Sequence, residues 1–267
     1  MALANGCIYV ITHKPVELSL PYQYKKLFVG AEKLTVKEKE NLKGYVFDDL
    51  GKNISKKNGN YCELTGLYWI WKNEKEDIVG ITHYRRFFGR PRKLLSLEEA
   101  EAILEQSDII VARRQWVEKN VKVHFEGFHR KEDLELLRKA ILKKYPEYIK
   151  SFDCAMSKCF LFSFNMMVCR KDIFDKYCMW LFDILETCEH QIDITNYDLY
   201  QKRIFGFLSE RLLMVYLLHH NMKVAERKVW ETELDRSTKW ASDKWKIITL
   251  VKNFFGNRGI KTMRYKK

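Results

Sequence analysis

The chain has no glycine-rich phosphate loop. Neither G-x-x-x-x-G-K-[ST] nor G-x-G-x-x-G occurs, which excludes the two commonest ways a backbone cradles phosphates. Asp-x-Asp is also absent, and with it the usual acid pair that holds a divalent ion against a diphosphate. The seven cysteines, Cys7, Cys62, Cys154, Cys159, Cys169, Cys178 and Cys188, are odd in number and show no Cys-x-x-Cys spacing. That argues against a zinc site or a disulfide framework and for reduced, mostly buried thiols in a cytosolic compartment. The longest apolar stretch, residues 159–169, falls far short of the roughly 20 residues a membrane span needs, and residues 1–15 lack the profile of a secretion signal. A soluble body is expected. Only four Pro and twelve Gly stand against 46% hydrophobic and 14% aromatic residues, so the 267-residue chain should bury a sizeable core in regular structure.

Net charge is +13, and it is unevenly spread. Residues 236–267 hold ten Lys or Arg against one acid, Asp243, which leaves +9 there and +4 for residues 1–235. This divides the chain into a body, 1–235, and a basic tail, 236–267.

Residues 7–15 (CIYVITHKP) are a β-branched run turning polar, the profile of a buried strand feeding a loop, and 26–31 read as a second strand closed by Gly30. The polar stretch 34–60 reads as a long functional loop. From Asn60 a helix is expected, because Cys62, Leu64, Leu67, Tyr68 and Trp71 recur at helical spacing, with Trp69 and Trp71 in the core. A strand follows over 77–88 (DIVGITHYRRFF), then a helix over 96–107 with Ser96 and Glu99 as a capping box. Beyond these come a strand at 108–114, a helix over 131–152 interrupted at Pro146, and a strand pair or strand-turn at 159–170. Helices at 172–192 and 205–221 and a late strand at 223–233 complete the body. Strands alternating with helices predict an α/β fold with a mostly parallel sheet flanked by helices.

The 77–88 strand closes on His83, Tyr84, Arg85 and Arg86. Ligands of open α/β sheets bind at strand ends, and planar guanidinium groups grip diphosphate oxygens bidentately, so they could neutralise a leaving pyrophosphate without metal. The plain alternative is that both arginines pair with Glu63 or Asp49. Composition leaves the two balanced.

NYCELTGLYWIWKN (60–73), followed by DIVGITHYRRFF, resembles the signature of a family of bacterial polysaccharide-biosynthesis glycosyltransferases that includes galactofuranosyltransferases. DDLGKNIS (48–55), His129 with Glu132 to Leu134, residues 164–185 and QKRIFGFLSERLL (201–213) extend the match in order across most of 7–230. The resemblance implies a GT-A-like nucleotide-diphospho-sugar fold and transfer of a sugar from a UDP-sugar donor to a growing glycan. On that basis Thr12, His13 and Lys14 lie beside base and phosphates, Asp48 and Asp49 face uracil or ribose, and Asn60, Glu63, His83, Tyr84, Arg85, Arg86 and His129 complete the nucleotide-sugar site. Glu63 is the candidate to orient Arg85. Asn165, Met166 and Arg211 line the donor sugar or the acceptor. Each has a plainer alternative as a solvated, turn-forming or core residue.

An inverting transferase needs a carboxylate to take the acceptor hydroxyl's proton. Glu210 is first choice, with Asp193 and Asp198 as rivals and an ion pair to Arg211 or Arg203 as the plain reading. No metal ligands are assigned, although His83 and scattered acids leave Mn²⁺ or Mg²⁺ open. The tail places Trp240, Ile247, Ile248, Val251, Phe254 and Phe255 near one helical face with Lys239, Lys246 and Lys252 off it. This suits an anionic inner-membrane surface and a lipid-linked oligosaccharide acceptor; docking onto the body or a partner is the alternative. Two other readings remain: a non-catalytic scaffold, and a nucleic-acid-binding protein, disfavoured because the body without its tail has little positive excess.

Overall fold

A computed structural model describes residues 5–232. The basic tail lies outside the described residues. Strands are β1 (Gly6–Thr12), β2 (Tyr24–Phe28), β3 (Tyr45–Phe47), β4 (Ile78–His83), β5 (Arg86–Arg90), β6 (Lys93–Leu94), β7 (Ile109–Ala112), β8 (Gln115–Trp116), β9 (Phe160–Leu161), β10 (Met167–Arg170), β11 (Val224–Arg227) and β12 (Val229–Glu231). Helices are α1 (Val36–Asn41), α2 (Asn58–Tyr61), α3 (Leu64–Asn73), α4 (Leu97–Leu104), α5 (Val121–Phe128), α6 (Lys131–Lys144), α7 (Ile149–Ser157), α8 (Lys171–Glu189) and α9 (Ile204–His219).

The central sheet runs β11-β7-β10-β4-β1-β2-β3. All neighbouring pairs are parallel except those of β10, which is antiparallel to both β4 and β7. This is the mainly parallel, helix-flanked α/β sheet expected. The period of two explains why its strands read as unbroken apolar runs. Cys7, Tyr9 and Ile11 enter the large core shared with α3, α8 and α9, whereas Ile8 and Val10 enter a smaller cluster on the opposite face. Gly66 lets α3 lie flat on the sheet, since a Cβ there would meet Ile11 Cδ1 at 2.7 Å.

From β1 the chain steps outward to β2 and β3, then returns to place β4 on the other side of β1. The carboxyl ends of β1 and β4 therefore flank a topological switch point, where such sheets open a crevice.

Several expectations change. Residues 34–60 are not structureless, because Thr35 and Glu38 form a reciprocal capping box that starts α1, and β3 adds an edge strand. The helix expected from Asn60 breaks at Cys62, whose φ of 51° interrupts α2 and α3. The strand over 77–88 is a hairpin: His83 pairs with Arg86, so Tyr84 and Arg85 form its turn and Arg86 begins β5. The late strand is two, β11 on the main sheet and β12 on β5. Helix α5 has no counterpart in the sequence reading. Pro146 does interrupt the long helix, as expected.

Candidate active site

The turn between β4 and β5 carries Arg85 to the end of β1. His13 packs edge-on to the Tyr84 ring at 5.5 Å, and Lys14 Nζ and Arg85 Cζ lie 5.0 and 5.2 Å from the centroid of that ring. Thr12 holds this end of β1, donating from Oγ1 to the Lys14 carbonyl at 2.6 Å. Burial lowers the His13 pKa, and the cations Arg85, Lys14 and Arg203 lower it further. Lys14 and Arg85 thus share the Tyr84 ring beside His13 at the switch point, an arrangement that attracts an anion.

Arg86 lies apart from that cluster. Its Nε donates to Glu231 Oε1 at 3.1 Å, and its guanidinium covers the Phe164 ring at 4.2 Å. The expected guanidinium pair therefore divides its partners, Arg86 pairing with Glu231 while Arg85 covers Tyr84, although both still act on His83. Arg203 donates to Cys62 Sγ at 3.3 Å and sits 5.5 Å above the Phe207 ring. Glu63 does not orient Arg85; its partner is Asn165.

A second cluster forms around the turn before β10. Phe164 and Asn165 have φ of 79° and 51°, left-handed conformations uncommon outside glycine. Three side chains hold the turn. The Phe164 carbonyl meets His83 Nε2 at 2.6 Å, the Phe164 N–H donates to Glu210 Oε1 at 2.7 Å, and Asn165 Nδ2 donates to Glu63 Oε1 at 2.8 Å and to the Gly206 carbonyl at 3.3 Å. Asn165 is fully buried, and its Oδ1 has no partner within the protein. Met166 beside it is core, packed with Ile78 and Val168.

Burial pushes the Glu63 and Glu210 carboxyls up. Arg211 and the Phe164 N–H oppose this at Glu210, while Glu63 adds to it. Burial pushes His83 down to about 4, so its imidazole is neutral near pH 7 and Nε2 donates to the carbonyl. Both Glu210 and Arg211 lie on α9, a helix otherwise apolar on every side. Arg211 is 2% exposed; its Nη1 donates to Glu210 Oε2 at 2.9 Å and to the Phe207 carbonyl at 3.0 Å, and its Nη2 to His124 Nδ1 at 3.2 Å.

The remaining expected residues divide. Asp48 is fully buried and accepts from Gly30 N and Ala31 N, each at 3.0 Å, and from Ser55 Oγ at 2.5 Å, so its oxygens tie the end of β3 to the loop after β2. Gly30 suits that loop because its φ is 70°. Asp49 pairs with Lys39, while its buried Oδ1 has no partner within the protein. Asn60 donates to the Lys202 carbonyl at 2.8 Å, tying α2 to the segment before α9. His129 is buried, stacked on Phe207 at 4.0 Å, with its Nδ1 meeting Gln201 Oε1 at 3.3 Å. Asp193 and Asp198 cap their own turns at Thr195 N and Gln201 N on an exposed loop, and the Thr195 bonds lower the Asp193 pKa, which suits a proton acceptor poorly. Of the cysteines, Cys7, Cys169, Cys178 and Cys188 are buried, whereas Cys154 and Cys159 are exposed. Trp69 is core, as expected.

Sequence reasoning missed Arg203 and His124 as site residues. Arg203 could have been found from its place just before an apolar helix carrying a lone Glu-Arg pair. His124 lies on the unforeseen helix α5. Among the described residues no group of three or more His, Cys, Asp or Glu is placed to hold a metal ion, and no helix is long and apolar enough to cross a membrane.

A mainly parallel α/β sheet with Lys14 and Arg85 at the end of β1 is a frame shared with a solved glycosyltransferase. The solved apo structure of the WbbM bifunctional glycosyltransferase superposes on it with a TM-score of 0.76 and 30% identity, covering 86% of this chain and 46% of that one. The chain belongs to the family described as Domain of unknown function (DUF4422), which it matches over residues 7–221. It spans less than half the length of the solved glycosyltransferase. No curated protein matches it.

Proposed function

We propose that the chain is an inverting glycosyltransferase that moves a hexose, galactofuranose being the first candidate, from a UDP-sugar to a glycan acceptor in bacterial surface-polysaccharide synthesis. The observation that carries this reading is the gathering of Lys14, Arg85 and His13 around the Tyr84 ring at the switch point, with Arg203 held on the helix side by Cys62 and Phe207. An acceptor hydroxyl oxygen attacks the anomeric carbon as its bond to the UDP oxygen breaks. The proton passes to Glu210, and the charge left on UDP is offset by the guanidinium groups. Asp49, at the carboxyl end of β3 and with an unused buried oxygen, suits ribose or uracil. Asp48 is engaged with its own chain.

Titration of UDP with and without Mn²⁺ and EDTA tests the anion site. Because these cations are exposed, Arg85→Ala and Arg203→Ala are each expected to weaken UDP by about three- to tenfold, more at low salt. Unchanged UDP affinity in both variants refutes the reading.

The basic tail, 236–267, is proposed to hold the enzyme at an anionic membrane surface beside a lipid-linked acceptor, since its residues carry +9 of the net +13. Deleting it should abolish co-sedimentation with vesicles containing phosphatidylglycerol. Retained co-sedimentation would place membrane contact elsewhere.

A further inference from the structure

Beyond Arg203 stands a group of rings that the transfer chemistry above does not use, buried at His129, half-buried at Phe207 and exposed at Tyr200. Tyr200, His129 and Phe207 form a ladder: His129 stacks on Phe207 at 4.0 Å with planes 27° apart and on Tyr200 at 5.7 Å and 13°, and Tyr200 meets Phe207 at 5.0 Å. Tyr200 is 48% exposed, and next to it Phe128 and Leu199 are 51% and 87% exposed. Such residues cost free energy in water unless something covers them.

Their position says what covers them. Phe207 carries the Arg203 guanidinium over its ring at 5.5 Å, and its carbonyl accepts from Arg211, the residue that holds Glu210. The ladder is therefore continuous with both the anion site and the proposed proton acceptor. The surface is also interleaved with polar groups. Gln201 donates to the Phe128 carbonyl at 2.7 Å and meets His129 Nδ1 at 3.3 Å, and Arg130 covers Tyr197 at 4.2 Å. A hydrocarbon chain would want continuous aliphatic surface. A sugar ring offers an apolar C–H face to an aromatic plane and hydroxyls at its edge to amides and guanidinium groups.

We infer that the exposed face of Tyr200, backed by the buried His129 and half-buried Phe207 and rimmed by Phe128 and Leu199, forms the acceptor subsite and receives the C–H face of an acceptor sugar ring. This rests on the glycosyltransferase reading only in naming the sugar as acceptor. Burial and the neighbouring Arg211 push His129 down to about 4, which keeps the middle of the ladder uncharged across the working pH range.

Saturation-transfer NMR with methyl and octyl β-D-galactopyranosides and glucopyranosides tests it, with wild type compared with Tyr200→Ala and Phe128→Ala and each protein also titrated with UDP. Expected are saturated ring C–H protons with wild type, a drop of about fivefold or more in Tyr200→Ala, and an unchanged melting temperature. Saccharide signal indifferent to both substitutions overturns the assignment, as does saturation confined to the octyl chain, which would make the surface a lipid site. No saccharide signal from a protein that binds UDP also overturns it. UDP failing to bind while the saccharide still depends on Tyr200 would sink the donor reading and leave the subsite standing.

Discussion

Glu210→Gln is expected to lower the transfer rate by about 10²- to 10⁴-fold, the range set by loss of a general base, while UDP affinity stays near that of the wild type. The amide keeps the shape and can still accept the Phe164 N–H, so the turn before β10 should survive. Stopped-rate transfer assays beside UDP titration check both halves; a variant that turns over normally removes Glu210 from the mechanism. The pH profile adds a sign. Burial holds the Glu210 carboxyl above the ordinary carboxylate range, and a base works only when deprotonated, so the acid limb of the rate should lie above that range. Glu63 contributes to that elevation. Glu63→Gln removes a negative neighbour, so the Glu210 pKa falls and the limb should move to lower pH. A limb that stays put or moves up contradicts the assignment.

Arg211→Met is expected to cost about 3–5 kcal/mol of stability, the range for breaking a buried ion pair, or roughly 10 °C in melting temperature for a domain of this size. Arg211 is among the largest fully packed side chains of the molecule, and its loss strands Glu210 beside a strained turn. Thermal unfolding checks this. The double variant with Glu210→Gln should recover part of the loss, because it removes the stranded charge. The pH dependence follows from the direction of the shift. A carboxyl whose folded pKa is raised binds its proton more readily in the folded state, so stability is gained as pH falls through that value. Without Arg211 the elevation grows, and the penalty should be smaller near pH 5 than near pH 8. A penalty independent of pH, or a double variant no better than the single, would place the cost in packing alone.

Much of the frame is legible in the sequence. The β-branched runs at 7–12, 78–83 and 109–112 are apolar at both odd and even positions, which is what strands covered on two faces require. Pro146 ends a helix because it cannot donate to the preceding turn. Glu210 is legible as a candidate base, but only the packing shows that it and Arg211 are kept inside, where a charge needs a partner. The HYRR run misleads for a local cause. A two-residue turn and a continuing strand share the same residues, and only the pairing of His83 with Arg86 tells them apart. It sends Arg85 to the crevice and Arg86 to Glu231.

The sequence by itself determined which segments are buried and that the sheet is mostly parallel and flanked by helices. These follow from periodicity and from the cost of burying unpaired polar groups, both readable along a few residues. Only the tertiary structure decided that Lys14 and Arg85 meet at Tyr84, that Glu63 and Glu210 both hold one strained turn, and that Tyr200, His129 and Phe207 stack. Each of those meetings joins segments far apart in the chain. The reversal of strand order at β1 and the packing of α9 behind it set their positions, and no local pattern records either.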